Sequence, residues 1–199
     1  MRIIGDVHGY IKKYQQIISD CTASVQLGDM GFSDTYRQLI AFVDVDRHRF
    51  IPGNHDDYSQ LPPHAFPKDW DYVNFQGFQF LYIRGAYSID KMWLEPYISW
   101  WPNEELGAKA ALELVNAIAE IKPRIILSHD APFLCYQSGL VNRPFASSYT
   151  ARLLDRVFEI YQPEMWFFGH HHKNWITKID NTMFVGLGIC QYAEISLQS

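Results

Sequence analysis

Short apolar runs that end in glycine, aspartate or histidine recur along this 199-residue chain, and they constrain its fold more than any other feature. Runs of this kind are typical of strands that are buried on both faces and whose polar last residues emerge at one edge of a sheet. We therefore predict strands at RIIGD (2–6), VQLGD (25–29), RFIPGNH (49–55), FQFLYIRG (78–85), RIILSHD (124–130), MWFFGH (165–170) and MFVGLG (183–188).

Amphipathic segments between these runs predict helices. Apolar residues at three- and four-residue spacing indicate one helix over residues 10–18 and another within 33–45. A third is predicted over 103–121, and Ser148 is predicted to cap a fourth that ends before Pro163. The alternation of strands and helices indicates an α/β layered fold with active groups on the loops at the strand ends.

The remaining segments show neither an internal repeat nor a linker, so we predict a single domain over residues 1–199. Residues 61–71 contain three prolines and predict a rigid irregular loop. Residues 86–102 are also irregular and carry three tryptophans, which suits a lid over a site. Packing is the more common role of such tryptophans, and stacking on a base is the alternative.

Charge and cysteine content narrow the class of protein. Seventeen basic and twenty-two acidic residues give a formal net charge of -5, which disfavours binding to long nucleic acids. The three cysteines are far apart and lack CxxC spacing, so they predict reduced thiols. The first residues contain no apolar stretch long enough for a signal peptide or a membrane span. We therefore expect a cytoplasmic protein that does not enter a membrane.

The polar residues at the strand ends carry the chemistry. Asp6 and His8 stand two residues apart just beyond a predicted strand, so both side chains can turn the same way and bind one ion. The same spacing joins His170 and His172. Mixed imidazole and carboxylate ligands suit Zn, Mn, Fe or Ni better than Ca.

A single histidine is more often structural than a ligand. Here, five of the eight histidines fall in strand-end clusters, so for these five a functional role is favoured over a structural one. They are His8, His55, His129, His170 and His172.

The order D-x-H, G-D, G-N-H-[DE], H and G-H-x-H, which runs from Asp6 to His172, resembles the signature of the calcineurin-like metallophosphoesterases. The resemblance implies a four-layer αββα sandwich of two mixed β-sheets flanked by helices. It also implies two metal sites that share Asp29. One set would be Asp6, His8, Asp29 and His172, and the other Asp29, Asn54, His129 and His170.

The family's activity implies two divalent transition-metal ions, with Mn expected and Fe, Zn or Ni as alternatives. Such a pair can lower the pKa of a bound water and hold the oxygens of an in-line phosphoryl displacement by hydroxide. His55 matches the family's catalytic histidine, and as an imidazolium it could protonate the leaving alkoxide.

The chain departs from the protein Ser/Thr phosphatase branch of the family. Phe32, Ser33 and Tyr58 stand where that branch has an aspartate and two phosphate-gripping arginines. A bidentate arginine is the usual partner of a phosphomonoester dianion, so a protein phosphatase is disfavoured. Arg84 and Arg143 are the candidates for a replacement phosphate contact.

The aspartate that orients the catalytic histidine in that branch is also missing. Asp56 and Asp34 are the candidates for this role in orienting His55, and Asp130 is a candidate to orient its ligand neighbour from behind. His171 should point away from the metals.

These observations predict a phosphoesterase that acts on a small phosphodiester or phosphomonoester, with a nucleotide-like substrate favoured. The alternatives are a protein phosphatase-like monoesterase, a nuclease for short substrates and a non-catalytic scaffold with the same fold. The sequence does not indicate an oligomeric state.

Overall fold

Two β-sheets pack face to face in the computed structural model, which describes residues 1–141 and 148–196. The strands are β1 (Arg2–Ile4), β2 (Ser24–Gln26), β3 (His48–Phe50), β4 (Trp70–Phe75), β5 (Phe78–Ile83), β6 (Ile125–Ser128), β7 (Met165–Phe168), β8 (Trp175–Ile179), β9 (Thr182–Gly186) and β10 (Tyr192–Glu194). The helices are α1 (Ile11–Ile18), α2 (Ser33–Phe42), α3 (Ala108–Ile121), the short α4 (Phe133–Cys135) and α5 (Tyr149–Ile160).

Both sheets are mixed. The smaller sheet has the order β10-β1-β2-β3, in which β10 is antiparallel to β1 and the other neighbours are parallel. The larger has the order β4-β5-β6-β7-β9-β8, with β5, β6, β7 and β9 parallel and both edge strands antiparallel. The parallel strands that precede the polar clusters therefore lie next to one another in each sheet.

Three groups of buried apolar residues define four layers. One group joins α1 and α2 to the smaller sheet, and it includes Tyr14 and Leu39. A second joins α3 and α5 to the larger sheet. The third lies between the sheets, where Val25 and Leu27 of one meet Leu127 and Phe167 of the other. This arrangement confirms the predicted α/β fold with two mixed sheets, while the single domain over residues 1–199 stays a prediction.

The structure corrects the start of the third helix. It was predicted at residue 103 but begins at Ala108, after an extended Gly107. Glu104, which lies within the predicted range, belongs instead to the loop before the helix and is 2% exposed. The buried hydroxyl of Ser88 donates a hydrogen bond to Glu104, and this contact holds the segment outside the helix.

Three strands were missed, and all three lie at sheet edges: β4, β8 and β10. Their residues are largely half-buried or exposed, so they lack the continuous apolar run of a central strand. The predicted loop over 61–71 is wrong at its end, because Trp70 and Asp71 already belong to β4. Gln76 and Gly77, both with positive φ, turn this strand directly into β5.

No helix within the described residues is long and apolar enough to cross a membrane.

Candidate metal centre

Five loops, each directly after a parallel strand, bring the predicted ligands together. Asp6 and His8 follow β1, Asp29 follows β2, and Asn54 follows β3. The larger sheet contributes His129 after β6 and the two histidines after β7, His170 and His172. The carboxyl ends of parallel strands meet at one edge of a sheet, so the packing of the two sheets determines that these loops meet.

The first cluster contains Asp6, His8, Asp29 and His172. Nε2 of His8 and Nε2 of His172 lie 2.8 Å apart. Asp6 Oδ2 lies 3.1 Å from the His172 nitrogen and 3.6 Å from the His8 nitrogen. Asp29 Oδ2 is 3.7 Å from Nε2 of His8. Four donor atoms thus face one small volume.

The second cluster contains Asp29, His129 and His170, and it shares Asp29 with the first. His129 Nε2 lies 3.4 Å from Asp29 Oδ1 and 2.9 Å from Asn54 Oδ1. The Asn54 carbonyl oxygen therefore completes the second set. The two clusters match the two ligand sets that the sequence predicts.

The two carboxylates use their oxygens in the same way. Asp6 Oδ1 accepts the backbone N–H of His170 at 3.0 Å, and Asp29 Oδ1 accepts that of His55 at 2.8 Å. The Oδ2 atom of each is fully buried and makes no hydrogen bond within the described residues. A buried anionic oxygen without a hydrogen-bond donor is costly. A cation bound to that oxygen removes the cost.

The imidazole of His129 gives a further test of fit. Its Nδ1 lies 2.7 Å from the Leu27 carbonyl oxygen, so that nitrogen carries the donated proton. In the neutral ring, Nε2 then presents a lone pair to the Asn54 oxygen, which is also an acceptor. Two acceptors at this distance need a positive charge between them, and either a proton or a metal ion supplies it. This contact therefore fits a cation at the second cluster.

The spacing of His170 and His172 does not act as predicted, since the two histidines belong to different clusters. Both have left-handed backbones, with φ of 61° and 52°. The alternation of side chains along a strand does not apply to such a turn. The left-handed turn instead directs His170 to the second cluster and His172 to the first.

Burial and neighbouring charges determine the protonation of the cluster. Burial by itself would raise the pKa of Asp6, but the neighbouring imidazoles outweigh it and lower the pKa to about 2. For Asp29, burial is again outweighed, chiefly by His129, and the pKa is below its usual range. Burial lowers the pKa of His170 to about 3. Anionic carboxylates and the neutral His170 imidazole are forms that bind metal. Burial would lower the pKa of His129, but Asp29 outweighs it and raises that pKa to about 10, so a metal bound there would displace a proton from this ring.

The model of the calcineurin-like phosphoesterase family matches residues 2–174, which include every ligand of both clusters. The chain belongs to this family. It is accordingly a metal-dependent phosphoric ester hydrolase by family membership. No curated protein shows significant sequence similarity to it.

Solved structures share the fold at low sequence identity. The protein TT1561 of Thermus thermophilus is 16% identical with a TM-score of 0.58, over 94% of this chain and 89% of that one. Phosphopantetheinyl hydrolase (PptH) from Mycobacterium tuberculosis is 14% identical with a TM-score of 0.54, over the same shares. The purple acid phosphatase PPD1 of yellow lupin is 14% identical with a TM-score of 0.53, over 98% of this chain and 46% of that one.

His55 of this calcineurin-like phosphoesterase lies between two cavities at the metal centre. A cavity of about 440 Å³ extends from Asp29, Asn54 and His170 to Tyr87, Ile89 and Tyr136. A cavity of about 480 Å³ lies on the other side and is lined by His8, Gly31, Phe32, Ser33 and Arg37. The His55 side chain lines both.

Asp56 organises the loops of the phosphoesterase's metal centre. It is fully buried and accepts the backbone N–H groups of Asp29 at 2.8 Å and of Gly53 at 2.7 Å. It also accepts the N–H of Met30 and the hydroxyl of Tyr36. These partners correct the suggestion that Asp56 orients His55. The other candidate, Asp34, pairs with exposed Arg37 on α2.

Asp130 lies behind the second cluster and is fully buried. It accepts hydrogen bonds from the hydroxyls of Tyr136 at 2.5 Å and Ser148 at 3.1 Å, and it lies 3.1 Å from His171 Nε2. The His171 ring packs edge-on against that of His170, 4.9 Å away. Asp130 thus contacts His171 and not His129, the ligand that it was a candidate to orient. His129 Nδ1 instead donates to the Leu27 carbonyl oxygen.

Arg84 does not line either of the described cavities. The guanidinium of Arg84 is bound by Asp69 and by the Asn103 carbonyl, and it stacks on Tyr58 at 4.5 Å. This corrects its assignment as a phosphate contact. Arg143 lies outside the described residues.

The cavity side chains of residues 86–90 were missed individually, although the segment was predicted to be a lid. Tyr87 and Ser88 lie in an irregular stretch, where no periodicity shows which side chains point inward. Of the three tryptophans, Trp101 is buried and packs against Phe32, whereas Trp93 is 86% exposed. Packing is therefore the role of Trp101.

Proposed function

We propose that this phosphoesterase hydrolyses a small phosphodiester or nucleotide-like ester with two divalent cations held by the two clusters. The observation that carries the proposal is the Asp29 carboxylate, which belongs to both clusters and has a buried oxygen without a hydrogen bond among the described residues. A shared carboxylate is a means of holding two cations close together, because its two oxygens can bind one each.

The two cations, when bound, supply Lewis acidity that lowers the pKa of a water and neutralises phosphate charge. The proposed ligands are Asp6, His8, Asp29 and His172 for one and Asp29, Asn54, His129 and His170 for the other. The proposed metal is Mn, with Fe, Zn or Ni as alternatives, since mixed imidazole, carboxylate and amide ligands can bind all four. The neutral amide of Asn54 limits the negative charge that an anionic substrate meets.

His55 is the proposed general acid. Its imidazole lines both cavities, so it adjoins an ester bound at the cations. Its backbone N–H donates to Asp29 Oδ1, which fixes this residue to the shared ligand. As an imidazolium it would protonate the departing alkoxide, which is a poor leaving group without a proton.

A diester is favoured over a monoester because cavities lie on both sides of His55. A diester has two substituents on phosphorus, and each cavity can accommodate one. The rings of Tyr87 and Tyr136 offer one substituent an aromatic surface, as a nucleoside would use. A monoester dianion calls for a bidentate arginine, and Arg84 is bound to Asp69 instead. The net charge of -5 disfavours long nucleic acids.

A reducing, cytoplasmic compartment remains our proposal for its location. Support comes from the three cysteines, which are all free: Cys21, Cys135 and Cys190.

The proposal is tested with metal-stripped protein reconstituted with Mn²⁺ and assayed on bis-p-nitrophenyl phosphate and p-nitrophenyl phosphate. We expect a higher kcat/KM for the diester. We also expect Asp29→Asn to lower kcat/KM by at least about 100-fold, because both clusters lose their shared anion. Asp46→Asn, at an exposed position, is the matched control and should change little.

A strong preference for the monoester would overturn the substrate ranking. Folded, Mn-loaded protein that is inert towards both esters would contradict the catalytic proposal and favour the scaffold alternative.

A further inference from the structure

A buried chain of hydrogen bonds connects the ligand Asn54 to an acid outside the metal centre. Nδ2 of Asn54 donates to the hydroxyl of Ser88 at 2.9 Å. That hydroxyl donates to Glu104 Oε2 at 2.5 Å, and the Ser88 backbone N–H donates to Oε1 at 3.2 Å. All three residues are at most 2% exposed. Water therefore does not compete for these contacts.

The single hydroxyl proton of Ser88 gives the chain a direction. A hydroxyl has one proton to donate and lone pairs with which to accept. A bond to a carboxylate is about twice as strong as one to a neutral acceptor, so the proton goes to Glu104. The oxygen of Ser88 can then only accept from Asn54, and it selects the NH₂ end of that amide.

The direction of the amide matters at the metal centre because its two ends are chemically opposite. With its NH₂ group on Ser88, Asn54 turns its carbonyl oxygen towards His129 Nε2, 2.9 Å away. The flipped amide would direct its NH₂ group to the proposed cation and remove one of the four ligands. A carboxylate needs no such control, since either oxygen binds a cation.

We propose that Glu104 is a positioning residue, which acts through Ser88 to hold the Asn54 amide with its oxygen towards the second cluster. The inference rests on the proposed function, in which Asn54 is a ligand. Burial raises the pKa of Glu104, and the two hydrogen bonds from Ser88 oppose that change. A buried acid is costly unless it is hydrogen-bonded, and Ser88 donates to both oxygens of Glu104.

The test measures Mn²⁺ affinity and stoichiometry by calorimetry in Ser88→Ala and Glu104→Gln. Ser88→Ala removes the acceptor for the amide. Glu104→Gln allows its new NH₂ group to donate to Ser88, whose proton can then turn to the Asn54 oxygen. We expect one of the two cations to bind about 10- to 100-fold less tightly in both variants. The other cation should change less, because Asn54 is not among its proposed ligands.

Two controls distinguish positioning of the Asn54 amide from a purely structural contact. Glu105→Gln changes the adjacent acid, which accepts the Thr150 N–H at 2.8 Å, and it should leave both affinities unchanged. In an Asn54→Asp background the ligand offers an oxygen in either orientation. Adding Ser88→Ala to that variant should therefore cause no further loss of affinity, whereas a purely structural contact would cause the same loss in both backgrounds.

Circular dichroism confirms that each variant is folded, and Ser88→Ala alone suffices if Glu104→Gln does not fold. Unchanged affinity for both cations in folded Ser88→Ala would overturn the positioning role of Glu104. It would leave the proposed two-cation function intact. Wild-type protein that binds fewer than two Mn²⁺ would overturn both.

Discussion

Four of the proposed ligands have a backbone conformation that residues other than glycine rarely adopt. The φ angles are 46° at His8, 56° at Asp29, 61° at His170 and 52° at His172. Each left-handed residue costs on the order of 1 kcal/mol, and such residues cluster at functional sites. The surrounding packing stabilises these conformations, and they direct side chains that the sequence places on different loops into one volume.

At the residue scale, His55→Ala should affect esters according to their leaving group. A general acid contributes about 10²- to 10⁴-fold to loss of a poor leaving group, so we expect kcat to fall by that factor for an alkyl phosphodiester. The p-nitrophenolate group leaves without a proton, so the loss on bis-p-nitrophenyl phosphate should be much smaller. Steady-state kinetics on both substrates checks this. Equal losses on the two esters would contradict the acid role.

At the element scale, the turn after β2 fits only glycine at its first position. Gly28 has a φ of +116°, and a Cβ there would lie 2.1 Å from Nδ1 of His129. Asp56 then binds the next backbone N–H groups of the same turn. The turn is thus shaped both by close approach to a ligand and by a buried carboxylate from the following loop.

Gly28→Ala should destabilise the fold by roughly 2–4 kcal/mol, about 1 from the backbone and the rest from displacing the ligand ring. It should also weaken Mn²⁺ binding. Gly139→Ala is the matched control, since Gly139 has a φ of +98° but a Cβ there would meet no atom of the described residues within 4 Å. It should cost only about 1 kcal/mol and leave Mn²⁺ binding intact. Urea denaturation and calorimetry measure both effects, and equal behaviour of the two variants would contradict the steric argument.

At the scale of the whole molecule, the metal centre joins the two sheets. Asp6 and Asp29 extend from the smaller sheet, and His129 and His170 from the larger. A cation held by both groups binds the folded chain and not the unfolded one. Metal binding and global stability are therefore linked.

Removing metal with a chelator should lower the melting temperature. Mn²⁺ at about 100 times its Kd should stabilise the fold by about 2.7 kcal/mol, and differential scanning calorimetry with and without chelator measures the difference. Asp29→Asn should show little of this stabilisation. A melting temperature that does not depend on Mn²⁺ in the wild type would count against the proposed site.

Global stability should also depend on pH through His48, which begins β3 and is 5% exposed. Burial lowers its pKa from 6.5 to about 4, and its Nδ1 lies 3.0 Å from the Ser24 hydroxyl. Between these two values the unfolded chain binds more protons than the folded one. The free energy of unfolding should therefore fall as pH falls from about 6.5 to about 4, by up to about 1 kcal/mol per pH unit from this residue.

Urea denaturation of chelated protein across this range, for wild type and His48→Gln, isolates that contribution. The variant should show the shallower pH dependence. Identical slopes for the two proteins would contradict the assignment.

The sequence by itself determined the central strands and most of the helices, and the family resemblance of its motifs supplied the candidate ligands. Apolar runs such as MWFFGH at 165–170 must be buried on both faces, so their polar ends must emerge at a sheet edge. The cap of α5 at Ser148 was also predicted, because a hydroxyl at that position satisfies a local N–H, here that of Ala151. These features depend on neighbours that are close along the chain.

Only the tertiary structure decided the remaining features, because they depend on partners distant in sequence. Edge strand β4 is defined by pairing with β5, and the start of α3 by the contact of Glu104 with Ser88. The spacing of His170 and His172 directs them to one ion, whereas the family resemblance directs them to two. Their left-handed backbones, which packing sustains, place them in two clusters. The residue types determine which atoms can bind a cation. The packing of the two sheets determines which of those atoms lie close together.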